Sequence, residues 1–236
     1  MTLYRTAEPP VLFFNNGVHK FGRGTVGTSQ VPVWDMGGLH TFNDTAVAYF
    51  LSSSDNGDDD DVVVQVIDGN GAQSEITTTL TGQTQVQIGT GTYVRAHRAF
   101  VDDTTAPAGD VYVAESDTLT AGVPDTQTKI KAKIGAGDNQ TMQAIWHCPA
   151  GFKGKHVCTY LTGSTNGKIV IARLWRKPFG KVARIMQEFI LADTTIQLVP
   201  GFAPDVVARD DWYITAEVDA STGTVDAGFD IALFPL

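Results

Sequence analysis

Apolar and polar residues alternate with period two over most of the chain beyond residue 46, the pattern of half-buried strands. It is clearest over residues 168–176, where Ile169, Ile171 and Arg173 fall on one face and Val170, Ala172 and Leu174 on the other. Strands at 142–147 and 155–161 precede it. The turn-forming runs 149–154 and 163–167 between them predict a three-strand meander. Further strands are expected at 47–51, 62–67, 73–80, 84–88, 92–101, 111–114, 128–134, 182–190, 195–199, 212–218 and 225–234. Asp68-Gly69-Asn70-Gly71 marks a tight hairpin turn. Residues 183–191 are the one stretch that fits a helix as well as a strand.

This rhythm defines an all-β protein, and 236 residues suffice for one large β domain or two small ones. Residues 122–236 carry about eight strands with a long crossing at 199–212, which fits a jelly-roll β-sandwich. Residues 31–121 read as a smaller β unit. Residues 1–30 lack periodicity, and Pro9-Pro10 and the glycines from Gly22 to Gly27 suit an extended, flexible N-terminal arm. Its apolar anchors would be Leu12, Phe13, Phe14 and Phe21, which favour docking on a neighbour. Gly22, Gly24 and Gly27 match neither phosphate-binding spacing.

The formal net charge is −9, which argues against nucleic acid as the main partner. The acidity is uneven: residues 1–120 hold 5 Lys+Arg against 15 Asp+Glu, and residues 121–236 hold 12 against 11. No signal peptide is visible, and no apolar run approaches the ~20 residues that cross a bilayer. Synthesis in a cytoplasm with no membrane association is the expectation.

Candidate chemistry is sparse. Asp55, Asp58, Asp59, Asp60 and Asp61 are a weak calcium candidate, since Ca²⁺ takes several oxygen ligands; the spacing is not that of an EF-hand. A solvated hairpin tip is the alternative. His147, Cys148, His156 and Cys158 invite a zinc reading. If His147 opposes His156 in a hairpin, however, Cys148 points to the other face, so neither a four-ligand site nor a disulfide is expected. Arg95 and Arg98 are expected to pair with Asp102 or Asp103. Lys129, Lys131 and Lys133 should form a wetted sheet face. Asp210 and Asp211 would be split between strand faces, and no nucleophile elbow occurs. Trp146, Trp175 and Trp212 fall in strands and suit a core, whereas Trp34 could reach the surface. No catalytic residue and no cofactor is predicted; the chain does not read as an enzyme.

Several phrases together carry a resemblance: Val62–Gly71 leading into 77–84; Tyr93-Val-Arg-Ala-His-Arg-Ala-Phe-Val101; Gly109-Asp-Val-Tyr-Val-Ala114; residues 137–151; Leu174-Trp-Arg-Lys-Pro-Phe-Gly180; and Asp226-Ala-Gly-Phe-Asp-Ile-Ala-Leu233. Over residues 60–236 the chain resembles a family of virion structural proteins of tailed bacteriophages. The resemblance implies a non-enzymatic particle component located in the virion. Its partners would be copies of itself, as a homo-oligomer such as a trimer, and the major capsid protein or other virion proteins. A capsid decoration or cement protein is the first expectation. A tail, neck or head-fibre component with a receptor- or carbohydrate-binding role is the alternative.

Overall fold

A computed structural model describes residues 17–164, 167–192, 194–201 and 204–236. Strands dominate, and the helical content among the described residues is one 3-10 turn at Gln127–Lys129. The described residues open with β1 (Gly17–Val26) and β2 (Val31–Pro32). They continue through β3 (Tyr49–Ser53), β4 (Asp61–Asp68), β5 (Gln73–Thr79), β6 (Val86–Gln87), β7 (Tyr93–Val101) and β8 (Val111–Glu115). A short hairpin of β9 (Leu119–Thr120) and β10 (Val123–Pro124) leads to β11 (Ile130–Ile134). Then come β12 (Ile145–His147), β13 (Phe152–Ser164), β14 (Ile169–Pro178), β15 (Arg184–Ala192), β16 (Thr195–Leu198), β17 (Asp205–Val206), β18 (Asp210–Val218) and β19 (Gly223–Pro235). The ambiguous run at 183–191 is a strand because Phe189 and Leu191 alternate into the core.

Two antiparallel sheets face each other. One runs β1-β19-β13-β16, with β17 also on β13; the other runs β12-β18-β14-β15, with β2 also on β18. Taking β1, β12, β13, β14, β15, β16, β18 and β19 as strands one to eight, the sheets read 1-8-3-6 and 2-7-4-5. That interleaving is a jelly roll, in which every connection except the β14–β15 hairpin crosses between sheets. Its core holds Trp146, Leu161, Leu174, Phe189, Trp212, Ile214 and Phe229.

The strands β3 to β11 are an insertion between the first two strands of the jelly roll. They form a sheet β11-β8-β3-β6 and a sheet β5-β4-β7 around a second core of Tyr49, Leu51, Val64, Val66, Leu80, Ile88 and Ile134. A third cluster, Trp34, Tyr112, Ala114, Ile130 and Ile145 with Phe42 and Tyr213, joins the two bodies.

The strand layout therefore differs from the sequence expectation in three places. Residues 17–26, assigned to a flexible arm, are an edge strand of the jelly roll paired with β19 along its whole length. Their glycines are a packing device: a Cβ on Gly22 would lie 2.3 Å from the Ala144 nitrogen, and one on Gly24 would lie 2.9 Å from the Trp34 carbonyl. The strand at 130–134 belongs to the inserted body rather than to the sandwich that follows. Lastly, the meander is absent. β12 pairs with β18, while β13 pairs with β19 in the opposite sheet, and the strand begins at Phe152, inside the presumed turn.

Candidate functional site

The acidic run does not converge on a common point. Asp58 turns inward and accepts hydrogen bonds from Ser53 Oγ (2.5 Å) and the backbone N–H groups of Ala108 and Gly109 (2.9 and 3.0 Å). Asp55 closes a turn on the Gly57 N–H (2.7 Å), and Asp61 accepts from Thr79 Oγ1 (2.5 Å). Asp59 is exposed and Asp60 buried. The carboxylates of Asp55, Asp58 and Asp61 cap backbone and hydroxyl donors, the ordinary use of Asp in turns. Among the described residues no three His, Cys, Asp or Glu side chains assemble as a metal-binding group.

The His/Cys cluster is also dispersed, because its presumed hairpin does not exist. His156 lies in the other sheet, where it stacks on Trp212 (centroids 5.6 Å, 23°) and contacts Thr159 Oγ1 at 2.8 Å. Cys148 and Cys158 are buried free thiols. Burial, with the nearby Asp210 carboxylate, pushes the Cys148 thiol up to about 12 and keeps it protonated. Trp34 is fully buried, its Nε1 donating to the Gly38 carbonyl (3.2 Å), contrary to the surface expectation. Trp175 is only half-buried and lies against Tyr213. Phe21 sits on the outward face of β1, while Leu12, Phe13 and Phe14 lie outside the described residues.

What the fold does bring together is a buried ion triad at the junction of the two bodies. Arg95, on β7 of the insertion, reaches Asp211 on β18 of the jelly roll through two hydrogen bonds, Nε to Oδ1 and Nη2 to Oδ2, both 2.6 Å. His147 on β12 completes it, with Nδ1 2.8 Å from Asp211 Oδ1. Asp211 and His147 are fully buried. Burial alone would raise the Asp211 carboxyl, but the hydrogen bonds from Arg95 and His147 outweigh it and hold the group below its ordinary value. Arg95 thus does not pair with Asp102 or Asp103. The partner lies 116 residues away.

Aromatic rings pack around this centre. The Arg95 guanidinium lies between Phe42 (5.1 Å) and Phe179 (5.7 Å); Arg209 covers the Phe179 ring (3.9 Å) and Lys177 approaches Phe42 (5.7 Å). Such cation–π contacts strengthen when desolvated. Beside them Lys20 donates to the His97 carbonyl (2.5 Å), and burial, with Arg98 nearby, lowers its ammonium to about 7. Lys131 is buried and pairs with Glu115 (3.0 Å). It is not part of a wetted face, because a bulge between Ile130 and Ala132 breaks the alternation that would have exposed it.

The triad sits against a small cavity of about 10 Å³ lined by His40, His97, His147, Arg95 and Asp211. That is room for one water molecule. Among the described residues the Nε2 atom of His147 has no hydrogen-bond partner. The physical role of the triad is to fasten the inserted body to the jelly roll in one orientation.

No protein-family model matches the chain, and no curated protein does. Two solved structures of infectious bursal disease virus, one of the Gt strain and one of a VP2 subviral particle, align over 94% of this chain and 82% of theirs at 10% identity. Their TM-score is 0.13, which carries no argument about fold or function.

Proposed function

We propose that this chain is a structural, non-enzymatic component of a tailed-phage virion, a homo-oligomer that decorates and stabilises the head. The resemblance over residues 60–236 supports this reading of the family. The observation that carries the structural role is an uncovered apolar rim. The insertion packs against the β12 edge and, through the Lys20 side chain, against the β1 edge, at one pair of jelly-roll edges. The opposite edges, β15 and β16, expose Ile185 (50%), Ile190 (69%) and Leu198 (37%), and Val199 (67%) follows them. Exposed Arg184 and Glu188 also lie on β15 and Pro200 follows Val199, so these edges are partly blunted, and their remaining apolar positions suit burial by other subunits. Fold alone assigns nothing here, since jelly rolls serve capsid and lectin domains alike.

The test combines particle imaging with two variants. Ile190→Asp should reduce both self-association in sedimentation and occupancy on heads. Deleting residues 1–16, which spares β1, should leave a folded protein that no longer joins particles if Leu12, Phe13 and Phe14 anchor it. Unchanged occupancy for both variants would overturn the role, and density for the chain only at the neck or tail would favour the head-fibre or tail alternative.

A further inference from the structure

The outward face of the β1-β19-β13-β16 sheet carries an aromatic platform unrelated to the buried triad and to the apolar rim. The pairing register aligns its members across the strands. His19 on β1 opposes Asp230 on β19. Phe21 opposes Gly228, which opposes Tyr160 on β13, which opposes Gln197 on β16. Arg23 opposes Asp226, followed by Thr162 and Thr195. Gly228 is the floor. A Cβ there would fall 2.2 Å from the Tyr160 ring and 2.5 Å from the Lys20 carbonyl, so only glycine lets that ring lie across β19 toward β1. Tyr160 then stacks on His19 (5.4 Å, 24°), and His19 leans on Phe21 (5.6 Å, 45°).

Polar groups frame these rings. His19 Nδ1 lies 2.7 Å from Asp230 Oδ1, and the Tyr160 hydroxyl lies 2.7 Å from the same nitrogen and 3.3 Å from Asp230 Oδ1. Arg23 Nε donates to Asp226 Oδ1 (2.6 Å). Both carboxylates remain over a third exposed, so they keep acceptor capacity toward solvent. Burial, reinforced by Asp230, raises the Tyr160 phenol and keeps its proton available for donation. Beside the rings, Gly17, His19, Val157, Asp230 and Ala232 line a cleft of about 400 Å³, within the size range of small-molecule sites.

We propose that this face binds a neutral saccharide. A sugar ring has one apolar C–H face, which matches stacked aromatic rings, and peripheral hydroxyls, which match carboxylate, amide and hydroxyl groups at the rim. Asp230 favours hydroxyl donors and disfavours an anionic sugar beside it, whereas Asp226 is offset by Arg23. A protein partner fits less well: a stable interface needs roughly 800 Å² per side, and these three rings are hemmed by charged residues. The proposal does not depend on where the chain sits in a particle.

The experiment is a titration of the full chain with maltotriose and with N,N′,N″-triacetylchitotriose, two neutral trisaccharides, and with sialyllactose as the anionic control. Saturation-transfer NMR reads binding, and amide shifts read location. Transfer to a neutral trisaccharide with a dissociation constant of about 1 mM is expected, with shifts confined to the His19, Phe21, Tyr160 and Gly228 region. Phe21→Ala, a change at a partly exposed edge position, should weaken binding at least tenfold while leaving the melting temperature close to wild type. Tyr160→Phe keeps the ring and should weaken it far less. No transfer to either neutral sugar, shifts outside this face, equal binding of sialyllactose, or unchanged affinity in Phe21→Ala would each overturn the proposal.

Discussion

Two His–Asp pairs in this protein have nearly the same geometry and opposite surroundings. His147 Nδ1 lies 2.8 Å from Asp211 Oδ1 with both side chains fully buried. His19 Nδ1 lies 2.7 Å from Asp230 Oδ1 with side-chain exposures of 62% and 37%. Each joins strands distant in sequence, and each has an aromatic neighbour. The difference is solvent. In the buried pair, removing a partner strands a charge away from bulk water. In the exposed pair, water replaces whatever is removed. A contact list would rank the two alike; their surroundings make the first a fastening and leave the second free to exchange its hydrogen bonds with a ligand.

The largest consequence is for Asp211. Asp211→Ala leaves the Arg95 guanidinium buried without its two carboxylate bonds, and a loss of about 3–5 kcal/mol in urea unfolding is expected. Because Arg95 belongs to the insertion and Asp211 to the jelly roll, calorimetry should also resolve two transitions where the wild type shows one. Replacing both partners with apolar residues, as in Arg95→Met with Asp211→Leu, should recover much of the loss. A loss below about 1 kcal/mol for Asp211→Ala would place this pair with the exposed one.

Acid should act on the buried centre in the same direction. Burial lowers His40 to about 3 and, with Lys20 and His147 nearby, lowers His97 well below the usual imidazole value. In the unfolded chain both titrate near 6.5. Below that pH the unfolded state binds protons that the folded state refuses. Stability therefore falls as pH drops, by up to about 1.4 kcal/mol per pH unit for each histidine. Burial raises Asp35 to about 7, partly offset by the Met142 N–H, and this works the other way: its contribution is lost as pH rises from about 4 through 7. Lys20, near 7 when folded, adds no slope below that value. Burial also lowers His156 and raises Asp60; three histidines outweigh two carboxyls, so the melting temperature should be lower at pH 5 than at pH 7. An equal or higher value at pH 5 would contradict the neutral, buried state of His40 and His97.

The β4–β5 hairpin shows what can be read from sequence. Its strands alternate, and Asp68 Oδ1 accepts from the Asn70 and Ala72 N–H groups while Gly71 takes φ +88°, all local chemistry. β1 shows what cannot. Its inward positions include Lys20, Gly22 and Gly24, and an outward one is Phe21, so its apolar pattern is inverted relative to its burial. The cause is tertiary: neighbouring backbone needs the glycines, the insertion holds Lys20, and Phe21 belongs to the platform. The buried triad was equally hidden, although one signal existed. Asp210-Asp211 begins an apolar strand, and a carboxylate there demands a distant cation. Arg95, one of few basic residues in the acidic half, was available. The Tyr160–His19–Asp230 face left no local trace, because its members are as much as 211 residues apart and meet only through β-pairing.

The smallest expected effect is at Asp230. Asp230→Asn keeps the shape and a hydrogen-bond acceptor while removing the charge. His19 is well exposed, so its imidazole can turn to water, and exposed ion pairs are worth about 0–1 kcal/mol. The change should therefore cost less than about 1 kcal/mol in the same urea experiment. It removes one acceptor oxygen from the rim of the platform, so its larger effect should be on trisaccharide affinity. Stability and binding would then separate at Asp230, whereas at Asp211 only stability should move. A loss of 3 kcal/mol or more at Asp230 would mean that the exposed pair is a fastening as well, and the contrast with the buried triad would fail.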